Sequence, residues 1–156
     1  MPATTPAVRF AVLYAVLTAA HEVGDYWAQR DIDAVDKGKP GREGVAACLR
    51  HVAGYTTTQA LAIAAANGAF GLRMSWRRAA AGLALSAATH YVADRCASHW
   101  REEGDDAPLL VRFAHSTGHS GWLTRDLQAG PLLDQAWHKG WIALAAAVAA
   151  AAPAPR

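Results

Sequence analysis

The sequence predicts an all-α protein, an up-down four-helix bundle that crosses a membrane several times. Two observations lead there. Four apolar stretches, each about 20 residues or longer, recur along the chain, and a helix of that length crosses a bilayer. Their alanine- and leucine-rich composition favours helix, and no segment shows the period of two that marks a strand. A third observation concerns function: each stretch is interrupted by histidine or aspartate at one particular level. The chain has 156 residues, 53% hydrophobic and 18% charged. That length suits one domain, and the balance is more apolar than in ordinary soluble domains. A soluble bundle of the same helices is the alternative, since alanine-rich helices with internal polar groups also build those.

The helices are expected at about 7–29, 43–72, 78–100 and 131–152. Phe10 to Ala20, Val52 to Leu72 and Ala79 to Ala93 carry no charged side chain. The segment 30–42, RDIDAVDKGKPGR, is polar with Gly and Pro and reads as a loop. Residues 73–77, RMSWR, form a short basic turn whose tryptophan suits a membrane interface. Residues 101–130 form a long loop opening with REEGDDAP, in which LLVRFAHSTGHSGWL is a short interfacial helix or a lid. The tail AAPAPR reads as a frayed end. A cleaved signal peptide over residues 1–20 is disfavoured, because Arg9 is the only basic side chain there and no small-residue cleavage site follows.

Lys and Arg lean the first and third connections (Arg30, Lys37, Lys39, Arg42, Arg101, Arg112, Arg125) towards the cytoplasm. The opposite side holds fewer (Arg9, Arg73, Arg77, Arg78, Arg156). The formal net charge is only +2 and the basic residues are scattered, which excludes a nucleic-acid surface. Cys48 and Cys96 form no CxxC motif and read as small buried hydrophobes, with metal ligation as the alternative.

Three pentads pair an imidazole with a carboxylate four residues away: His21 and Asp25 in HEVGD, His90 and Asp94 in HYVAD, Asp134 and His138 in DQAWH. Residues four apart share a helix face. In an up-down bundle the ends of the first and third helices meet the starts of the second and fourth. The three pairs then lie at one depth, and the second helix adds His51, with Tyr55 four residues on. Uncompensated carboxylates in an apolar bundle cost several kcal/mol each. A mixed nitrogen and oxygen donor set from four helices suits zinc, manganese or iron. The metal ligands expected are His21, Asp25, His51, His90, Asp94, Asp134 and His138. Seven groups exceed one tetrahedral ion, so either two divalent ions bind or some aspartates orient the imidazoles. A metal-free proton relay among the Asp–His pairs is the alternative.

Other residues have plainer roles. Tyr26, Tyr55 and Tyr91 are expected to pack, with Tyr55 as a donor to a substrate the alternative, and Gly24 to let helices approach beside the site. Gln29 and Gln135 are expected to hydrogen-bond across the bundle. Glu22 lies about 100° round the helix from His21 and is only a candidate base. His115 and His119 belong to an exposed loop, or to a lid that delivers a ligand. His99 marks a helix end.

HEVGDYWAQ at 21–29, His51 followed by Tyr55, HYVAD at 90–94 and DQAWH at 134–138 resemble, in order, domain of unknown function family 3307. The likeness spans about residues 10–145. It implies a small bacterial polytopic membrane protein with four helices, and it carries no reaction with it. It also aligns Lys37 with a basic residue after the first motif, whereas Arg95 stands where a slightly later lysine is usual. A looser likeness to membrane-bound metal-dependent hydrolases is one of architecture only. The leading expectation is an integral membrane protein holding one or two divalent ions, with hydrolase-like chemistry on a lipid-linked or amphipathic molecule. The rivals are a metal-ion or proton carrier, a bis-histidine haem protein, and a structural protein with a buried Asp–His cluster.

Overall fold

The structure, a computed structural model, describes residues 4–151. The described residues form helices and turns without a strand. Four helices are long: α1 (Pro6–Val23), α3 (Gly41–Phe70), α4 (Trp76–Asp94) and α7 (Ala129–Ala150). Three are short: α2 (Asp31–Asp36), α5 (Leu109–Ala114) and α6 (Ser120–Arg125). π-helical turns extend α1 through Gly24–Ala28 and join α5 to α6 through His115–His119.

Local chemistry sets the ends. Thr5 caps α1 by accepting from the Val8 amide, and Pro6 fills the first helical position, where its missing N–H costs nothing. The 30 residues of α3 stop at Gly71, whose φ of 58° is the left-handed cap that glycine adopts freely. Asp126 accepts from the Gln128 amide at 2.8 Å and the Trp122 indole at 3.0 Å, fixing the turn into α7.

α1 packs on α3 and α7, and α4 packs on the same two helices, so the long helices close a ring. Two apolar clusters fill it at different levels. One joins Leu13, Leu17, Ile63, Leu72, Ile142 and neighbouring alanines. The other joins Cys96, Trp100, Val111, Leu123 and Ala129 beneath α5 and α6. Along α7, Asp134 and His138 fall between Ala129 of the second cluster and Ile142 of the first.

Several expectations change. The third helix ends at Asp94 rather than near residue 100, because the chain turns where Arg95 donates to the carbonyls of Lys37 and Lys39. Ser98 completes that turn at a φ of 69°. Segment 30–42 holds α2, since its helix breakers begin only at Gly38 and Pro40. Buried Asp33 accepts there from Arg30 at 2.8 Å and Arg50 at 2.7 Å. Segment 101–130 is helical over Leu109–Arg125, with Gly118 at a φ of 92° absorbing the kink. The tail lies outside the described residues beyond Ala151.

The membrane expectation is only partly met. Among the described residues one run, Pro6–Ala28, is long and apolar enough to cross a membrane. Alanine, glycine and threonine are too weakly apolar to bring α3 and α4 to that level, and Asp134, His138 and Lys139 lower α7.

Candidate metal centre

The seven expected ligands come together. His21 and Asp25 project from the end of α1 and its π-helical turn, His51 from α3, His90 and Asp94 from α4, Asp134 and His138 from α7. Donor atoms of His51, His90 and Asp94 lie within 4.8 Å of one another, as do those of His21, Asp25, His90 and His138, and those of Asp94, Asp134 and His138. The four imidazoles and Asp94 are buried, while Asp25 and Asp134 are partly open. Each pentad makes its i,i+4 approach: His21 Nε2 to Asp25 Oδ2 at 3.3 Å, His90 Nε2 to Asp94 Oδ2 at 3.1 Å, His138 Nε2 to Asp134 Oδ2 at 3.2 Å.

Four donors form a tighter group. His51 Nε2 lies 2.9 Å from His90 Nε2, and both lie 3.1 Å from Asp94 Oδ2 and 3.4 Å from Asp25 Oδ1. A tetrahedral zinc with donors at about 2.0–2.1 Å spaces them roughly 3.3 Å apart. The separations of 2.9–3.4 Å are close to that edge length, so His51, His90 and Asp94, with Asp25 beside both imidazoles, are spaced to hold a small divalent cation. Asp25 Oδ1 and Asp94 Oδ2 accept no hydrogen bond within the protein, and His21 Nε2 and His138 Nε2 make none. Buried polar atoms are normally paired, so these are free for an ion.

Packing holds the rings. His90 stacks between Tyr55, at 3.8 Å between centroids, and His138, at 4.1 Å. The Tyr55 hydroxyl lies 2.6 Å from Ser86 Oγ and is spent there. A Cβ on Gly24 would sit 3.1 Å from Tyr55 Cδ2, so glycine brings α1 close enough for Asp25 to reach the imidazoles of α3 and α4. Rings stacked this closely leave no gap for a haem.

Lys37 is the partner that spacing in the sequence could not locate. Its Nζ lies 2.8 Å from Asp94 Oδ1, leaving Oδ2 for the imidazoles. Burial pulls the Lys37 ammonium towards neutrality, but Asp94 outweighs it and the pKa rises, so the lysine stays charged. With neutral imidazoles, three carboxylates against this one ammonium leave two negative charges uncompensated. That is the charge of one divalent cation.

The cysteines point elsewhere. Cys48 Sγ donates to the Tyr91 carbonyl at 3.9 Å, and Cys96 packs in the second apolar cluster, where burial pushes its thiol up to about 11. The other histidines stay outside as well. His115 uses its two ring nitrogens on Ser120 Oγ and the Trp100 carbonyl, His99 its two on Glu102 and the Gly38 carbonyl, and His119 its Nδ1 on Thr117 Oγ1 and the Ala114 carbonyl. Glu22 turns to Lys139 at 3.4 Å. Gln29 and Gln135 do not bond across the helices; Gln29 Nε2 and Gln135 Oε1 are unpartnered in a cavity wall.

That cavity, about 410 Å³, reaches the centre. Asp25, Asp94 and Asp134 face it, Lys37 and Arg101 add positive charge, and Trp100, Leu123, Leu127 and Pro131 supply apolar wall. Fold and site thus define an all-helical protein with a buried His/Asp cluster positioned to hold a metal ion. No family model, curated protein or solved structure matches the chain.

Proposed function

We propose that the chain is an up-down four-helix bundle embedded in a membrane, a relative of domain of unknown function family 3307, which binds a divalent cation and uses it in hydrolysis. The observation that carries metal binding is the group of His51, His90, Asp25 and Asp94, whose imidazole nitrogens lie 2.9 Å apart and 3.1–3.4 Å from the carboxylate oxygens. His21, His138 and Asp134 surround that group and complete the proposed ligand set. Zinc, manganese and iron all accept such donors.

The surface supports the membrane. Phe10 and Tyr14 on α1, Leu61 and Phe70 on α3 and Leu144 on α7 are exposed within lengths that carry no charged side chain. Exposed aromatic residues mark both ends of this belt, Trp76 at one and Tyr26 and Trp27 at the other.

Access favours an enzyme over a carrier. The cavity opens the centre towards the α5–α6 side, while Leu13, Leu17, Ile63 and Ile142 close the other side. A carrier needs a path to both. A bound divalent cation supplies Lewis acidity and lowers the pKa of a water to about 7. The chain supplies the rest: Lys37 holds Asp94 in place, Tyr55 and His138 clamp His90, and the cavity offers charged and apolar walls together. An amphipathic molecule with a polar end fits that lining.

The test is elemental analysis of protein purified from the membrane fraction, beside a His90→Ala/Asp94→Ala variant that still folds. At least one equivalent of a transition metal, lost in the variant, is expected. Absence of metal from the wild type, even after reconstitution, would overturn the reading, and recovery of the protein in the soluble fraction would overturn the membrane part.

A further inference from the structure

The four-donor group uses only one oxygen of Asp25 and neither His21, His138 nor Asp134. Asp25 Oδ1 faces His51 and His90 at 3.4 Å, while its Oδ2 faces His21 Nε2 at 3.3 Å. One carboxylate thus points its two oxygens at two groups of imidazoles. On the second side His138 Nε2 lies 3.2 Å from Asp134 Oδ2, and the His21 and His138 ring centroids are 4.9 Å apart. His21 is fully buried and His138 nearly so, yet the Nε2 atom of each has no hydrogen-bond partner.

Building on the proposed function, we propose a second cation site formed by His21, His138, Asp134 and Asp25 Oδ2, with Asp25 bridging the two ions. The donor count supports it. Seven side chains with Asp25 shared give four donors to each site, two imidazoles and two carboxylates. The sites differ in exposure. Asp94 is 1% exposed in the first, and Asp134 is 20% exposed in the second, so the second ion is the more weakly held and the nearer to the cavity. Charge supports the same order. The first dication neutralises the two excess negative charges, and the second makes the cavity floor positive. A floor of that sign selects an anionic oxygen ligand, and paired cations at an open cavity suit phosphoryl ester hydrolysis.

The experiment is a titration of metal-stripped, full-length protein with Mn²⁺, read by stoichiometry and electron paramagnetic resonance. Two equivalents are expected, the second at least tenfold weaker, with the isolated six-line spectrum of the first giving way to an exchange-coupled one. In His138→Ala/Asp134→Ala one equivalent remains, with the six-line spectrum. One equivalent in the wild type, with only isolated Mn²⁺, would overturn the second site and leave the first standing. Two uncoupled ions would overturn the Asp25 bridge. No bound Mn²⁺ would remove both sites together.

Discussion

Replacing Asp25 by asparagine is expected to act in opposite directions with and without metal. The Asp25 side chain is 8% exposed, and its neighbours within 3.4 Å are the Nε2 atoms of His21, His51 and His90. The Lys37 ammonium is engaged by Asp94. If the rings are neutral at pH 8 with chelator present, Asp25 is a buried carboxylate without a paired cation. Such an ion costs several kcal/mol, and the cavity wets Asp25 on one side, so about 1–3 kcal/mol remains to be recovered. Asparagine keeps the shape, drops the charge and donates to an imidazole nitrogen. At about 2–4 °C per kcal/mol for a chain of this size, the metal-free variant should melt roughly 2–12 °C above wild type. Metal reverses the order. Zinc at 1,000 times Kd stabilises wild type by about 4 kcal/mol, roughly 8–16 °C, and the variant, short of one donor, should gain less than half of that. The assay is thermal unfolding of detergent-solubilised protein in chelator and in zinc. A variant less stable than wild type in chelator would refute the reasoning, because Asp25 would then be paired with an imidazolium, as a proton relay or a structural cluster requires.

Two further outcomes are expected away from direct ligation. Gly24→Ala places a Cβ 3.1 Å from Tyr55 Cδ2 and 3.3 Å from Tyr55 Cα, so Tyr55 or α1 must give by a few tenths of an ångström. A loss of about 1–3 kcal/mol in thermal unfolding and a weaker metal titration check this, and an unchanged titration would separate the helix contact from the site. The guanidinium of Arg30 and then that of Arg50 hold the Asp33 carboxyl down to about 2, against the cost of its desolvation. A depressed carboxylate pKa gives stability that is complete above the ordinary value near 4 and is lost as pH falls through about 2. Between pH 4 and 2, wild type should therefore lose more stability than Asp33→Asn, and parallel pH curves would contradict the pairing.

Helical class and candidate ligands could be read from the chain itself because both rest on short-range periodicity. Alanine- and leucine-rich runs form helices whatever packs beside them, and an i,i+4 pair of histidine and aspartate shares a face in any helix. Equal depth followed from counting residues to each turn, which is why His21, His90 and His138 meet His51. The ends of the helices were less legible. α4 stops at Asp94 because Arg95 reaches the carbonyls of Lys37 and Lys39, more than 50 residues away in sequence, and α2 forms in a segment whose composition reads as loop.

The sequence by itself determined the element type and which seven side chains could face inward, since both depend on neighbours within one turn. Only the tertiary structure decided that Lys37 pairs with Asp94, that the two oxygens of Asp25 face different imidazoles, and that the cavity opens on one side. Those facts depend on distances between helices, which packing sets through Gly24 against Tyr55 and the stacking of His90, and no spacing along one strand of sequence encodes them.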